Sequence, residues 1–228
     1  LNNASRPIKQ EEARALAEAA IDYSELELAY DGLTVTVNPE NDWVDYLTIE
    51  ELNRIWSADQ VVDTWSDVRA QWPDEPITIY RRGADSGTFD YWNSVVLENE
   101  AMRRDVTMSE DDNVLIQGVS ASLNGISYFG YAYYQMNQDK LKAVPIMNSE
   151  GEAVIPTKET IQNGTYEPLS RPLYTYIKHE SVKTKPQVYD FIMFTMDHVG
   201  ALAEEVGYVS LTEEEYEQQI EHLQQIAK

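Results

Sequence analysis

The chain has 228 residues, 43% of them hydrophobic, enough for one large domain or two small lobes with cores of their own. Its 17 lysines and arginines face 40 aspartates and glutamates, a formal net charge of -23, and the summed field repels nucleic acid and anionic membranes, which excludes both as expected partners. Cysteine is absent, so disulfides, thiolate nucleophiles and cysteine-based zinc sites are excluded too, and no apolar run approaches the ~20 residues that span a bilayer.

The opening LNNASRPIKQEEARALAEAA is polar and then helix-like, unlike a secretory leader, and Leu1 is not an initiator, so a processed or truncated chain is expected. Residues 10–22 are rich in strong helix formers and follow Pro7, which predicts a helix. LELAYDGLTVTVNP (26–39) alternates β-branched residues and stops at Pro39, as a strand does. In LTIEELNRIWS (47–57), Thr48 and Glu51 have the spacing of a capping box, with Leu52, Ile55 and Trp56 on one helix face. A strand is expected over 75–82 and a helix from Ser86 to about Met102, because Phe89, Trp92 and Val96 recur at helical spacing. NVLIQGVSAS (113–122) reads as a helix or an extended element broken by Gly118, and GISYFGYAYYQMN (125–137) as a strand passing into a helix. A hairpin turn is expected at 148–151, a strand at 170–179, a helix at 187–207 ending near Gly207, and an amphipathic closing helix at 213–228. Alternating strands and helices predict an α/β architecture.

Residues 81–92, RRGADSGTFDYW, lie at a strand-to-helix junction, where the first helical amides lack internal partners and the helix dipole favours negative charge. Gly87 permits close backbone approach, Ser86 and Thr88 offer hydroxyl and amide donors, and Arg82 offers a planar fork suited to phosphate oxygens. Together they form a candidate oxyanion cradle. The plainer alternative is that Ser86 only caps a helix and the arginines pair with surface acids. A Walker A loop is excluded because no lysine follows Gly87, and a nucleophile elbow because Ala84 and Thr88 stand where its two glycines would be.

This segment, together with ASRPI (4–8), AYDGLTVTVNP (29–39), LTIEELNRIW (47–56), SEDDNVLIQGV (109–119), ISYFGYAYY (126–134) and LSRPLYTYI (169–177), resembles the periplasmic phosphate-binding proteins of bacterial ABC phosphate uptake systems. The resemblance runs in order over most of the chain. It implies a two-lobed, Venus-flytrap fold of type II, with lobe I comprising residues 1–38 and 170–228 and lobe II residues 39–169. It further implies inorganic phosphate as ligand, bound in an interlobe cleft that closes by a hinge near Asn38-Pro39 and Leu169-Ser170. A membrane ABC permease is the implied partner, no cofactor is implied, and the expected protein is a monomer in the periplasm or otherwise extracytoplasmic, with any membrane anchor in a missing N-terminus. Carried over by motif, Arg82, Ser86, Gly87 and Thr88 are lobe II's share of the site and Ser5 belongs to lobe I's. Two departures stand out. The family's N-terminal strand and glycine-serine-threonine loop have no counterpart here, so lobe I is expected to be incomplete at its N-terminus. In ASRPI, where some members carry an aspartate that accepts the proton of hydrogen phosphate, this chain has Arg6, which adds a donor and leaves Asp85 as a candidate acceptor or the discrimination weaker.

Other candidates carry less. His179, His198 and His222 are scattered in sequence and lack the helical i, i+4 pairing of a metal site. SEDDN (109–113) lacks the glycine of a calcium loop and suits a helix N-terminus, and the tyrosines of 128–134 suit a packed core. An enzyme of phosphatase type would need a nucleophile beside a base, or a metal cluster, and neither is legible; a non-binding sensory or interaction module with the same fold is the remaining alternative.

Overall fold

The computed structural model describes residues 1–59, 62–83 and 87–228. The chain clusters into two compact units, Leu1–Asp31 with Arg171–Lys228, and Gly32–Ser170. It opens with β1 (Asn2–Ala4), α1 (Gln10–Glu18) and β2 (Tyr23–Val37), within which it passes from the first unit to the second. The second unit continues with α2 (Ile49–Trp56), α3 (Trp65–Val68), β3 (Thr78–Arg82), α4 (Gly87–Val95), β4 (Thr107–Ser109), α5 (Asp112–Ala121), β5 (Gly125–Gly130), α6 (Tyr131–Gln135), β6 (Lys142–Ala143), β7 (Ile146–Met147), β8 (Ala153–Val154) and α7 (Lys158–Gln162). The chain returns through β9 (Ser170–Lys178), α8 (His179–Thr184), α9 (Pro186–Val206) and α10 (Glu213–Ile226). The mixed α/β class is as expected.

In the first unit the strand order is β1-β9-β2, with β1 antiparallel to β9 and Asn3 opposite Thr175. α9 opens on Pro186 and ends at Gly207, as the sequence suggests, and lays Ile192 and Met196 into a core shared with Leu26, Ile177 and Leu223. The Tyr216 hydroxyl donates to the Leu28 carbonyl at 2.7 Å and accepts from the Leu211 amide at 3.2 Å, fixing α10 to β2. Helix α1 stops at Glu18, short of the expected residue 22, because Ala20 takes a left-handed conformation (φ 53) that ends the helical ladder.

The second unit is built on the order β2-β5-β3-β4, with β6 also paired to β2. β5 is antiparallel to β2 and parallel to β3, and β4 is parallel to β3 on the other side. The capping box of α2 forms as predicted: the Thr48 hydroxyl accepts from the Glu51 amide at 3.1 Å, and the Glu51 carboxylate accepts from the Thr48 amide at 2.9 Å. Leu52, Ile55 and Trp56 are then wholly buried on one face. Trp92 of α4 stacks flat on Tyr128 of β5, ring centroids 3.9 Å apart, and Trp56 meets Trp92 edge-on at 4.9 Å. Helix α4 ends at Val95, well before Met102, since Glu98 and Asn99 both adopt positive φ. On the opposite sheet face, Gly118 of α5 lies so close to the Tyr80 ring that an added Cβ would come within 2.3 Å of it, and only glycine allows α5 this near β3.

Candidate functional site

β3 and β4 run parallel, with Arg82 in register with Ser109, so their carboxyl ends lie side by side, and α4 and α5 begin just beyond them. In parallel α/β sheets this edge is where ligands collect, because helix N-termini present unpaired amides and the positive ends of their dipoles there. Successive strand residues face opposite sides of a sheet. Arg82 therefore turns toward α5, and Arg81 toward α4.

Arg82 closes β3 and is held in place by α5. Its Nη1 lies 3.2 Å from the Asp112 carboxylate, and its Nη2 donates to the Glu110 carbonyl at 3.2 Å. The Arg82 Nε is buried and has no partner among the described residues. Asp112 itself is 7% exposed; burial pushes its carboxyl above the usual range, and the Arg82 charge opposes that push. Gly83 follows, and a Cβ there would fall 1.6 Å from the exposed Glu110 carboxylate, which would have to swing aside to admit a side chain. Gly87 and Thr88 form the start of α4. Asp85 and Ser86, which the sequence reading also assigns to the cradle, lie outside the described residues.

On the other face, Arg81 is 9% exposed. Its Nη1 donates to the Arg82 carbonyl at 2.9 Å, and its guanidinium carbon sits 5.3 Å from the centre of the Phe89 ring in the first turn of α4. The Arg81 Nε is buried without a partner among the described residues, as is the hydroxyl of the wholly buried Tyr128. Burial drives the Tyr128 phenol well above its ordinary value, with the Arg81 and Arg82 charges pulling the other way.

The first-unit candidates have partners of their own. The Ser5 hydroxyl accepts from Arg171 Nη1 at 3.2 Å. Arg6 makes a two-pronged bond to Glu12, at 2.9 and 2.8 Å, and this pairing holds the Glu12 carboxyl down at about 2. The donors of Arg6 are thus directed at a carboxylate in the first turn of α1. Asp111 caps α5 by accepting from the Asn113 amide at 2.9 Å, as expected for SEDDN, whereas the inward turn of Asp112 onto Arg82 had no sequence signal beyond an acid at a helix start. The histidines are less scattered than their positions suggest: His179 and His222 both place Nε2 on the buried Ser24 hydroxyl, at 2.8 and 2.7 Å. Among the described residues, no group of three or more His, Cys, Asp or Glu side chains is arranged to hold a metal.

Residues 2–198 match the family model described as PBP superfamily domain. The chain is 44% identical over 216 residues to Protein SphX of Synechococcus elongatus, covering 94% of this chain and 64% of that protein, so it spans less than two thirds of this relative's length. It is 39% identical over 227 residues to the phosphate-binding protein PstS of Staphylococcus haemolyticus, covering all of this chain and 70% of that one. The crystal structure of a possible phosphate binding protein from Planctomyces limnophilus superimposes with a TM-score of 0.93 at 43% identity, over 99% of this chain and 80% of its own. The chain belongs to the PBP superfamily and, within it, to the family of the PstS phosphate-binding proteins.

Proposed function

We propose that this chain is the ligand-binding part of an extracytoplasmic solute receptor that captures inorganic phosphate and delivers it to an ABC permease. The observation that carries this reading is the Arg82 fork at the carboxyl end of β3. Asp112 and the Glu110 carbonyl hold two of its nitrogens, its buried Nε lacks a partner among the described residues, and α4 begins five residues on. A guanidinium so fixed donates to a tetrahedral oxyanion without further loss of side-chain freedom, and the α4 amides at Gly87 and Thr88 add donors with a favourable dipole. Ser86 and Asp85 complete the proposed cradle, Ser86 as a donor and Asp85 as acceptor for the proton of hydrogen phosphate. The PstS relative of Staphylococcus haemolyticus, named a phosphate-binding protein, supports phosphate as the ligand. We further assign the two compact units as the two lobes of the receptor. Binding and release need no covalent step.

Equilibrium binding of radiolabelled phosphate, with sulfate in excess as competitor, tests the reading. Wild-type chain should bind phosphate in the presence of sulfate, and Arg82→Ala should lose at least about 2 kcal/mol, roughly 30-fold, as expected for a charge-assisted contact in a partly buried site. Unchanged affinity in Arg82→Ala would remove this residue from the site.

A further inference from the structure

Resting on that reading, we propose that Arg81 is the second cation of the anion site, a specificity-determining guanidinium that has no carboxylate partner among the described residues and whose charge favours a dianionic tetrahedral oxyanion. Arg82 has its carboxylate in Asp112. Arg81 has none among the described residues: its one hydrogen bond goes to a backbone carbonyl, its Nε is orphaned, and its remaining neighbour is the face of Phe89. A guanidinium that is nine-tenths buried without a carboxylate carries a desolvation penalty that a ring face and one carbonyl offset only in part.

The surroundings sharpen the imbalance. Phe89 places Arg81 beneath the first turn of α4, whose dipole presents its positive end to the same region. Nearby, among the described residues, the buried Tyr128 hydroxyl has no acceptor and the Trp92 indole N–H has no partner. Among the described residues, two guanidiniums and a helix start are thus set against the buried carboxylate of Asp112, with Glu110 exposed at Gly83. Two guanidinium charges less one carboxylate, with roughly +0.5 from the helix start, leave this set net positive, so its attraction for an anion of charge two is about twice that for an anion of charge one. Arg81 therefore acts through charge more than through contact geometry, and it selects the more highly charged oxyanion.

The experiment compares wild type, Arg81→Met and Arg81→Lys by calorimetric binding of inorganic phosphate at pH 8, where it is mainly the dianion, and at pH 5.5, where it is mainly the monoanion. Ligand-free thermal midpoints are measured alongside. We expect Arg81→Met to weaken binding at least tenfold at pH 8 and markedly less at pH 5.5, while Arg81→Lys keeps most of the dianion preference. The ligand-free midpoint of Arg81→Met should equal or exceed that of wild type, because an uncompensated charge has been removed, while the rise in midpoint on adding phosphate shrinks. A lower ligand-free midpoint with affinity within twofold of wild type would overturn the inference and leave Arg81 a packing residue. So would a double-mutant cycle in which Asp85→Asn destabilises wild type but not Arg81→Met, since the counter-charge would then come from the protein. If wild-type chain binds no phosphate, the proposed function falls, and the ligand-free midpoints still decide whether Arg81 is uncompensated.

Discussion

Arg82 and Arg103 show how far the setting of an arginine decides its use. Arg103 is satisfied by the protein: Nη1 donates to the Ile55 and Val62 carbonyls at 3.3 and 2.7 Å, and Nε and Nη2 grip Asp105 at 2.8 and 2.6 Å. It is a structural staple between the end of α2 and the loop after α4. Arg103→Met should therefore destabilise the chain by about 1–3 kcal/mol through two stranded carbonyls, seen as a lower denaturation midpoint with no loss of wild-type phosphate affinity. Its pairing holds the Asp105 carboxyl at about 2, below the unfolded value of ~3.9. The folded state then binds that proton less readily. The stabilisation is complete above pH ~4 and is lost as pH falls toward 2, and Asp105→Asn should flatten the stability curve across that window. The change should stay under about 1 kcal/mol, since the Asp105 side chain is 67% exposed. Arg82, by contrast, keeps a buried N–H without a partner among the described residues, as the proposed anion contact requires.

At the scale of elements, the docking of α5 on β3 sets the position of Asp112 and hence of Arg82. Gly118→Ala forces a methyl group into the Tyr80 ring, and the helix must retreat or tilt. We expect a loss of about 1–3 kcal/mol in stability, together with weaker phosphate binding from a displaced Asp112; equilibrium unfolding and calorimetry of the same variant would check both. Much of this level was legible in the sequence. The capping box at Thr48, the strand ending at Arg82 and the helix ending at Gly207 are encoded in local side-chain chemistry, so a local reading finds them. Two kinds of feature escaped it. Short pieces such as β1, β4 and α8 carry too few residues for a periodic pattern, and β1 exists because β9 offers an edge to pair with. Convergent contacts escaped as well, for spacing along the chain says nothing of proximity when His179 and His222 meet at Ser24, more than 150 residues away. The candidate site divides along the same line. The strand end at Arg82 and a helix start beside it were readable from RRGADSGT, while the lack of a carboxylate on Arg81 among the described residues depends on which acids fold near it.

At the scale of the molecule, the second unit is one uninterrupted stretch, Gly32–Ser170, and it contains β3, β4, both arginines and the starts of α4 and α5. Its interior is its own: Leu33, Val35, Trp56, Trp92 and Tyr128 are fully buried within that range. We expect this segment, expressed alone, to unfold in a single cooperative transition and to retain phosphate binding that Arg82→Ala weakens. Circular dichroism melts and calorimetry would show it, and a non-cooperative melt would mean that the unit needs the rest of the chain. The distribution of aromatic residues adds an experimental convenience. All five tryptophans, Trp43, Trp56, Trp65, Trp72 and Trp92, lie between Gly32 and Ser170, and the first unit has none. Light that excites indole but not phenol therefore illuminates one half of the protein alone. Paired with a backbone signal that covers both halves, the emission supplies a label-free clock for the arginine-bearing unit, one that separates its melting and its response to anions from those of its neighbour.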